Sequence, residues 1–461
     1  MSRTSTLYVC SACGGQSLKW QGSCPVCGEW NVLEPQRTSR APQRRSAAAE
    51  PLSPQAAAED LRRLSSGLEE LDRVLGGGVV PGSVTLLGGD PGIGKSTLLL
   101  QVAAQVAAGA PVLYASGEES AAQVALRARR LGLSAPSLEI LAEIELGTVL
   151  ERADERAAAL LIVDSIQTVQ SERLEAAPGA VSQLKECTAQ LVRFAKRRAT
   201  AVFLIGHVTK EGSIAGPRVL EHLVDTVLYF ESETSSRYRI VRATKNRFGA
   251  VNELGFFAMT ETGLREVRNP SAIFLARAPE PAAGSIVTVT REGGRPLLIE
   301  LQALVDRMRF GAPRRIAQGL DANRLAMLLA VMNRHAGVSL QEHDVFVNAV
   351  GGVRIDETAW DLPVLIALAS SLGERIVPGA LVAFGEIGLT GEVRPVAYGE
   401  ERLQEARKQG FQTALVPRDN APRKPIDGLR VVPVARVDEA IEAAFSSSPR
   451  PVQAARAPAR S

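Results

Sequence analysis

A chain of 461 residues is too long for one ordinary hydrophobic core, so two or three domains are expected. Apolar residues make up 45% and charged residues 22%, the balance of a soluble globular protein. A net charge of only +3 excludes nucleic-acid binding through bulk charge and confines it to local patches.

The amino terminus, MSRTSTLYVC, lacks the apolar core and cleavage site of a secretory signal. Four of the five cysteines crowd into residues 10–27, a pattern that suits a metal site in a reducing cytoplasm better than a disulfide framework. Residues 1–33 read as a zinc-finger module. Cys10-x2-Cys13 and Cys24-x2-Cys27, each pair followed by glycine, can place four thiolates tetrahedrally around one Zn²⁺ ion. An iron–sulfur cluster is the rival occupant. Residues 34–62, rich in Pro, Ala, Ser and Arg without an apolar period, read as a flexible linker.

From 63 to 268 short apolar strands alternate with helical stretches, the pattern of an α/β domain with a mostly parallel sheet. The near-apolar run Leu98–Ala115 contains Gln101 and Gln105 and breaks at Gly109-Ala110-Pro111, so it reads as helix, turn and strand, not as a bilayer span. "GGDPGIGKST" matches the phosphate-binding loop G-x-x-x-x-G-K-[ST] from Gly89 to Ser96, after an apolar strand and before a helix over about 96–108. Gly89, Asp90, Pro91, Gly92, Ile93, Gly94, Lys95, Ser96 and Thr97 are therefore the expected nucleotide contacts. Backbone N–H groups would converge on the β-phosphate, Lys95 would neutralise the β- and γ-phosphates, and the Ser96 hydroxyl would ligate Mg²⁺. These assignments make ATP and Mg²⁺ the expected cofactors.

Three further strand ends belong with this loop. "LLIVD" ends in Asp164, placed to hold a magnesium-bound water. "VLYASGEES" ends in Glu118 and Glu119, and Glu118 is the preferred general base with Glu119 as the fallback. "AVFLIGH" ends in His207, either a sensor of the γ-phosphate or a satisfied buried histidine. The loop after it carries Lys210 and Arg218. The last motif, "TKNRFG", follows the strand-like stretch 237–243 and packs Lys245 and Arg247 into one compact turn. Cys187 lies on an amphipathic helix and reads as packing.

Residues 269–447 form a second unit, α/β or α+β, with strands such as 285–289. Arg307, Arg309, Arg314, Arg315 and Arg324 fall close together there, a set able to neutralise DNA phosphates or simply to form a solvated basic face. With aromatics at 4%, base stacking can contribute little. The basic tail, 448–461, reads as disordered.

The zinc module, "GGDPGIGKST", "SGEES", "LLIVDSIQT", "GHVTKEGSIAGPRVLEHLVDTVLYFE" and "KNRFG" occur in one order over almost the whole chain. That ensemble resembles the bacterial RadA (Sms) DNA repair family. The resemblance implies a RecA-like P-loop ATPase core, an N-terminal four-cysteine zinc module and a C-terminal Lon-protease-like α+β domain. It further implies a DNA-dependent ATPase of recombinational repair, working as a hexameric ring on single-stranded DNA and promoting branch migration of recombination intermediates, with recombinase or replication proteins as partners and no membrane. By that likeness Lys95, Ser96, Asp164 and Glu118 keep the roles above, and Lys245 and Arg247 serve ATP- and DNA-linked activity. In a RecA-type ring Arg247 can complete a neighbour's site in the manner of an arginine finger. Lys245 can serve that phosphate or the DNA, and Lys210 and Arg218 match the position of DNA-contacting loops.

"DVFVNAVGGVRIDETAWDLPVLIALASSLG" resembles the catalytic stretch of Lon proteases. The nucleophilic serine position falls on Ala359 and the lysine position on Glu400, so neither half of a serine–lysine dyad remains. Peptidase activity is not expected. A RecA-fold signalling or scaffold ATPase of the KaiC kind, binding proteins in place of DNA, is the alternative reading.

Overall fold

The computed structural model describes residues 6–37, 63–207, 219–232, 237–275, 282–308, 311–351 and 354–446. The linker stretch 38–62, the tail 448–461, Lys210, Arg218 and Arg309 lie outside the described residues. The chain divides into two units between Arg268 and Asn269.

In the first unit β1 (Thr6–Cys10) pairs antiparallel with both β2 (Gln16–Ser17) and β3 (Leu33–Arg37). The zinc module thus runs past residue 33. Residues 34–37, expected as linker, are strand because their backbone groups find partners in β1. Next come α1 (Glu69–Leu75), β4 (Val84–Gly89), α2 (Lys95–Val106), β5 (Val112–Ser116), α3 (Ala121–Arg130), β6 (Leu138–Ala142), α4 (Leu146–Glu155) and β7 (Leu160–Asp164). They are followed by α5 (Val181–Arg198), β8 (Ala201–His207), β9 (Thr226–Glu231), β10 (Tyr238–Asn246), β11 (Leu254–Thr260) and β12 (Gly263–Glu266).

Nine strands form one sheet in the order β12-β11-β10-β9-β4-β8-β7-β5-β6. The strands from β9 to β6 are parallel, while β10, β11 and β12 extend the sheet antiparallel. Near-continuous apolar runs fit strands covered on both faces. Leu87, Ile162, Phe203 and Leu228 face the cluster under α2, and Leu86, Val163 and Leu204 face the cluster under α5. The run Leu98–Ala115 is the helix, turn and strand expected, and Cys187 is buried on α5. No described helix is long and apolar enough to cross a membrane.

The second unit contains α6 (Ser271–Phe274), β13 (Ser285–Glu292), β14 (Arg295–Arg307), β15 (Arg315–Gln318), α7 (Ala322–His335), β16 (His343–Ala349) and α8 (Asp361–Leu372). Then follow β17 (Leu381–Ala383), β18 (Glu386–Ile387), β19 (Val393–Arg394), α9 (Gly399–Lys408), β20 (Thr413–Pro417), β21 (Arg430–Val434) and α10 (Val437–Phe445). Its main sheet is mixed, in the order β15-β16-β14-β13-β17-β20-β21.

This unit corrects the reading of the arginine cluster. Arg324 donates to the fully buried Asp361 and, at 2.8 Å, to the carbonyl of Ile387. It is a core ion pair, not part of a solvated patch. Arg315 gives its guanidinium to the carbonyls of Leu340, at 2.7 Å, and His343. Arg314 pairs with Asp344 at 2.6 Å but stays two-thirds exposed, and Arg307 is exposed at the end of β14. Burial pushes the Asp361 carboxyl up despite its partner. Removing Arg324 would leave that charge unpaired. Arg324→Ala should destabilise this unit by about 3–5 kcal/mol in urea unfolding, whereas Arg307→Ala should leave the transition unchanged.

Candidate functional site

The four cysteines converge. Their sulfurs all lie within 4.8 Å of one another, with Cys10–Cys27 at 3.7 Å and Cys13–Cys24 at 3.6 Å. Tetrahedral thiolates about 2.3 Å from one ion sit roughly 3.8 Å apart, so the spacing suits a single Zn²⁺ and not a multi-iron cluster. Backbone N–H groups of Cys13, Gly15 and Val26 point at the sulfurs of Cys10, Cys13 and Cys24 at 3.3–3.4 Å, the outer-shell donors that orient metal ligands.

The second convergence is at the carboxyl edge of the nine-stranded sheet, where parallel α/β sheets bind ligands. Register puts Gly89 beside His207, and Ser116 beside Asp164. Gly92 and Gly94 adopt φ of 76° and 116°, and a Cβ at Gly94 would lie 2.7 Å from the Met259 methyl. Only glycine gives the loop that turn and that approach.

Lys95 opens α2 and is nearly inaccessible. Its Nζ donates to the carbonyls of Gly89 (2.8 Å) and Asp90 (2.9 Å) and lies 3.2 Å from His207 Nδ1. Burial lowers its pKa to about 8, against the opposing pull of Asp164 and Glu118. His207 Nε2 in turn lies 3.0 Å from Glu118 Oε1, which also accepts the Ser165 hydroxyl at 2.6 Å. With Lys95 donating, Nδ1 is the acceptor and Nε2–H the donor to Glu118. His207 is thus a link between the phosphate-loop lysine and the carboxylate, where the sequence had left sensor or packing open. Glu119 is paired with Arg127 on α3, which leaves Glu118 as the carboxylate turned toward the loop.

Asp164 is buried, and its Oδ2 accepts the Tyr114 hydroxyl at 2.5 Å. Its Oδ1 is buried without a hydrogen-bond partner among the described residues. An orphaned carboxylate oxygen at the edge of the sheet where Ser96 lies in the first turn of α2 suits a Mg²⁺ ion or its bound water. Burial, then the Asp164 charge, push the Tyr114 pKa far up, so the phenol stays a donor. Sequence reasoning missed Tyr114, Ser165 and Arg127. Strand alternation alone could have paired Tyr114 with Asp164, had the β5–β7 register been known.

TKNRFG is less of a turn than its sequence suggests. Thr244, Lys245 and Asn246 belong to β10, with a bulge between Ala243 and Lys245, and the chain turns only from Arg247. Gly249 packs on Gly76, so a Cβ there would lie 2.7 Å from the Gly76 Cα. Lys245 Nζ donates to the carbonyls of Glu221 (2.6 Å) and Val224 (2.8 Å). Arg247 reaches Asp225 Oδ1 at 3.2 Å while its side chain stays 54% exposed. Asn246 pairs with Thr226, and Thr226 with Thr85 near the start of β4, four residues before Gly89. The strand rise makes that separation about 13 Å, so the two cations sit at the end of the sheet opposite the phosphate loop of their own chain.

In the second unit Ala359 is buried. Nearby, the buried Arg402 donates to the partly exposed Glu357 at 2.8 and 2.6 Å and to the Val289 carbonyl at 2.6 Å, near the start of α9, where Glu400 lies.

A P-loop ATPase domain with a closed four-cysteine zinc site and a separate α/β unit is the class that these sites define. Comparison with known proteins gives matching descriptions. The Rubredoxin metal binding domain family matches residues 8–35, the AAA domain family 48–213, and Subunit ChlI of Mg-chelatase 323–420. "DNA repair protein RadA" of Pseudomonas aeruginosa is 52% identical over 96% of this chain and 100% of its own. The proteins of that name from Escherichia coli K12 (49% identical; 94% and 97% covered) and Bacillus subtilis 168 (48%; 96% and 99%) agree. Among solved structures, the RadB recombinase (24% identity, TM-score 0.37) covers 44% of this chain and 100% of its own. A KaiC-like protein from Pyrococcus horikoshii (20%, 0.38) covers 45% and 99%. The chain belongs to the RadA family of DNA repair proteins. It has an AAA-type P-loop ATPase domain, a zinc ribbon and a ChlI-like domain, and its cofactors are ATP, Mg²⁺ and Zn²⁺.

Lys95→Ala should abolish nucleotide binding, measured by equilibrium fluorescence of a labelled ATP, while bound zinc stays at one ion per chain. Conversely, Cys24→Ser should release the zinc, measured by metal analysis, while basal ATP turnover persists. Retained zinc in the Cys24 variant, or retained nucleotide in the Lys95 variant, would contradict the respective assignment.

Proposed function

We propose that this protein is a DNA-dependent ATPase motor of recombinational repair. It assembles as a homo-oligomeric ring, hexameric by family resemblance, translocates on single-stranded DNA in the cytoplasm and drives branch migration of recombination intermediates. Recombinase or replication proteins are its partners.

The observation that carries this reading is the distance between Arg247 and its own phosphate loop along β4. An exposed guanidinium at the far end of the sheet has no phosphate to meet in its own chain, but a ring presents the neighbour's. In that site Glu118 polarises the attacking water, Lys95 and Ser96 with Asp164 hold the phosphates and Mg²⁺, and Arg247 stabilises the transferring phosphoryl group. Lys245, bound to carbonyls of residues 221 and 224, ties the same element to the segment that follows the loop carrying Lys210 and Arg218. That loop and Arg307, Arg309, Arg314 and Arg315 of the second unit contact DNA phosphates. Engagement of Arg314 and Arg315 within their own chain makes them the weaker contributors. The second unit serves assembly and DNA, not proteolysis, since Ala359 and Glu400 stand where Lon has its dyad.

ATP turnover should rise with single-stranded DNA, and DNA affinity should fall with salt at a log–log slope of about −0.7 per phosphate contact. Turnover indifferent to DNA would favour a scaffold ATPase instead. Arg247→Ala should lower turnover by about 10³-fold. Mixing it with an inactive Glu118→Ala protein should restore part of the activity, because each supplies what the other's sites lack. No recovery in well-mixed rings would place Arg247 in its own subunit's site and contradict the proposal.

A further inference from the structure

Tyr114 is a costly choice for its position. It is inaccessible to solvent and packs in the cluster that holds Ile162 and Phe203. Phenylalanine would fill the same volume without stripping a hydroxyl of water. The hydroxyl has a specific task there. Tyr114 pairs with Ile162 across β5 and β7, so Asp164, two residues on, emerges on the same face of the sheet. The phenol donates to Asp164 Oδ2 at 2.5 Å, and Ser96 on α2 lies beside the same phenol. Groups from α2, β5 and β7 thus meet at one point. Asp164 Oδ1 alone is left over, buried and without a hydrogen-bond partner among the described residues. A carboxylate with one oxygen held and the other open is already oriented for a cation or its water.

We propose that Tyr114 is a positioning residue for the magnesium ion, holding Asp164 by Oδ2 so that Oδ1 faces the metal that Ser96 ligates. The proposal rests on Asp164 being a magnesium partner, as read above. The carboxylate torsion is intrinsically broad, so without the phenol Asp164 samples orientations that no longer present Oδ1. Groups that orient metal ligands contribute about 10- to 100-fold in metal affinity.

Tyr114→Phe removes the hydroxyl and keeps the ring, so the core stays filled. The probe is Mn²⁺, followed by electron paramagnetic resonance in the full chain saturated with a non-hydrolysable ATP analogue. Mn²⁺ affinity should fall about 10-fold or more, analogue binding in EDTA should stay at the wild-type level, and the Mg²⁺ concentration for half-maximal turnover should rise in step. Asp164→Asn is the control for the underlying assignment. If Asp164→Asn weakens Mn²⁺ binding and Tyr114→Phe does not, the role of Tyr114 is overturned while Asp164 keeps its own. If neither variant weakens it, Asp164 is no metal partner and both readings fall. If Tyr114→Phe lowers metal-free analogue binding as much as Mn²⁺ affinity, the hydroxyl merely supports the pocket, and the proposal is overturned.

Discussion

The in-register ending of parallel strands β4, β8, β7 and β5 is the constraint from which the site follows. Apolar runs buried on both faces fix how those strands pair, and pairing decides which polar residues share the exposed edge. Slipping one strand by a single residue would turn Asp164 or His207 to the wrong face. The helix α2 then adds Lys95 and Ser96 at its positive end. Lys95, His207 and Glu118 are linked in series, each holding the next. One imidazole thus connects the lysine of the phosphate loop to the candidate base.

The opposite end of the same sheet carries a second cluster of charge. Lys245 and Arg247 are near one another in sequence but differ in environment. Lys245 is tied into backbone carbonyls, and its pKa is lowered by burial and by Arg247. The Arg247 guanidinium pairs with Asp225 and is more than half exposed. Asp225 also accepts the N–H of Val84, the first residue of the strand that leads to the phosphate loop. One carboxylate thus joins the cationic turn to the root of β4.

Motifs with short-range logic were legible in the sequence: the cysteine spacing, the glycine loop, the apolar strands and the polar residue that ends each. What depends on cross-strand register was not. Tyr114 looks like any strand residue until β5 and β7 are aligned, and Arg324 looks like one more surface cation until Asp361 is found buried beneath it. Composition likewise cannot tell that residues 34–37 are recruited into a sheet by β1, or that Thr244–Asn246 continue a strand. The two ends of the sheet, and hence the separation of Arg247 from its own phosphate loop, are properties of topology alone.

The central claim is that a complete ATP site needs two chains. ATP turnover per chain, measured across a dilution series with the assembly state followed by analytical ultracentrifugation, tests it most directly. Specific activity should collapse as rings dissociate and return on reconcentration. A monomer that hydrolyses ATP at the undiminished rate would contradict the account.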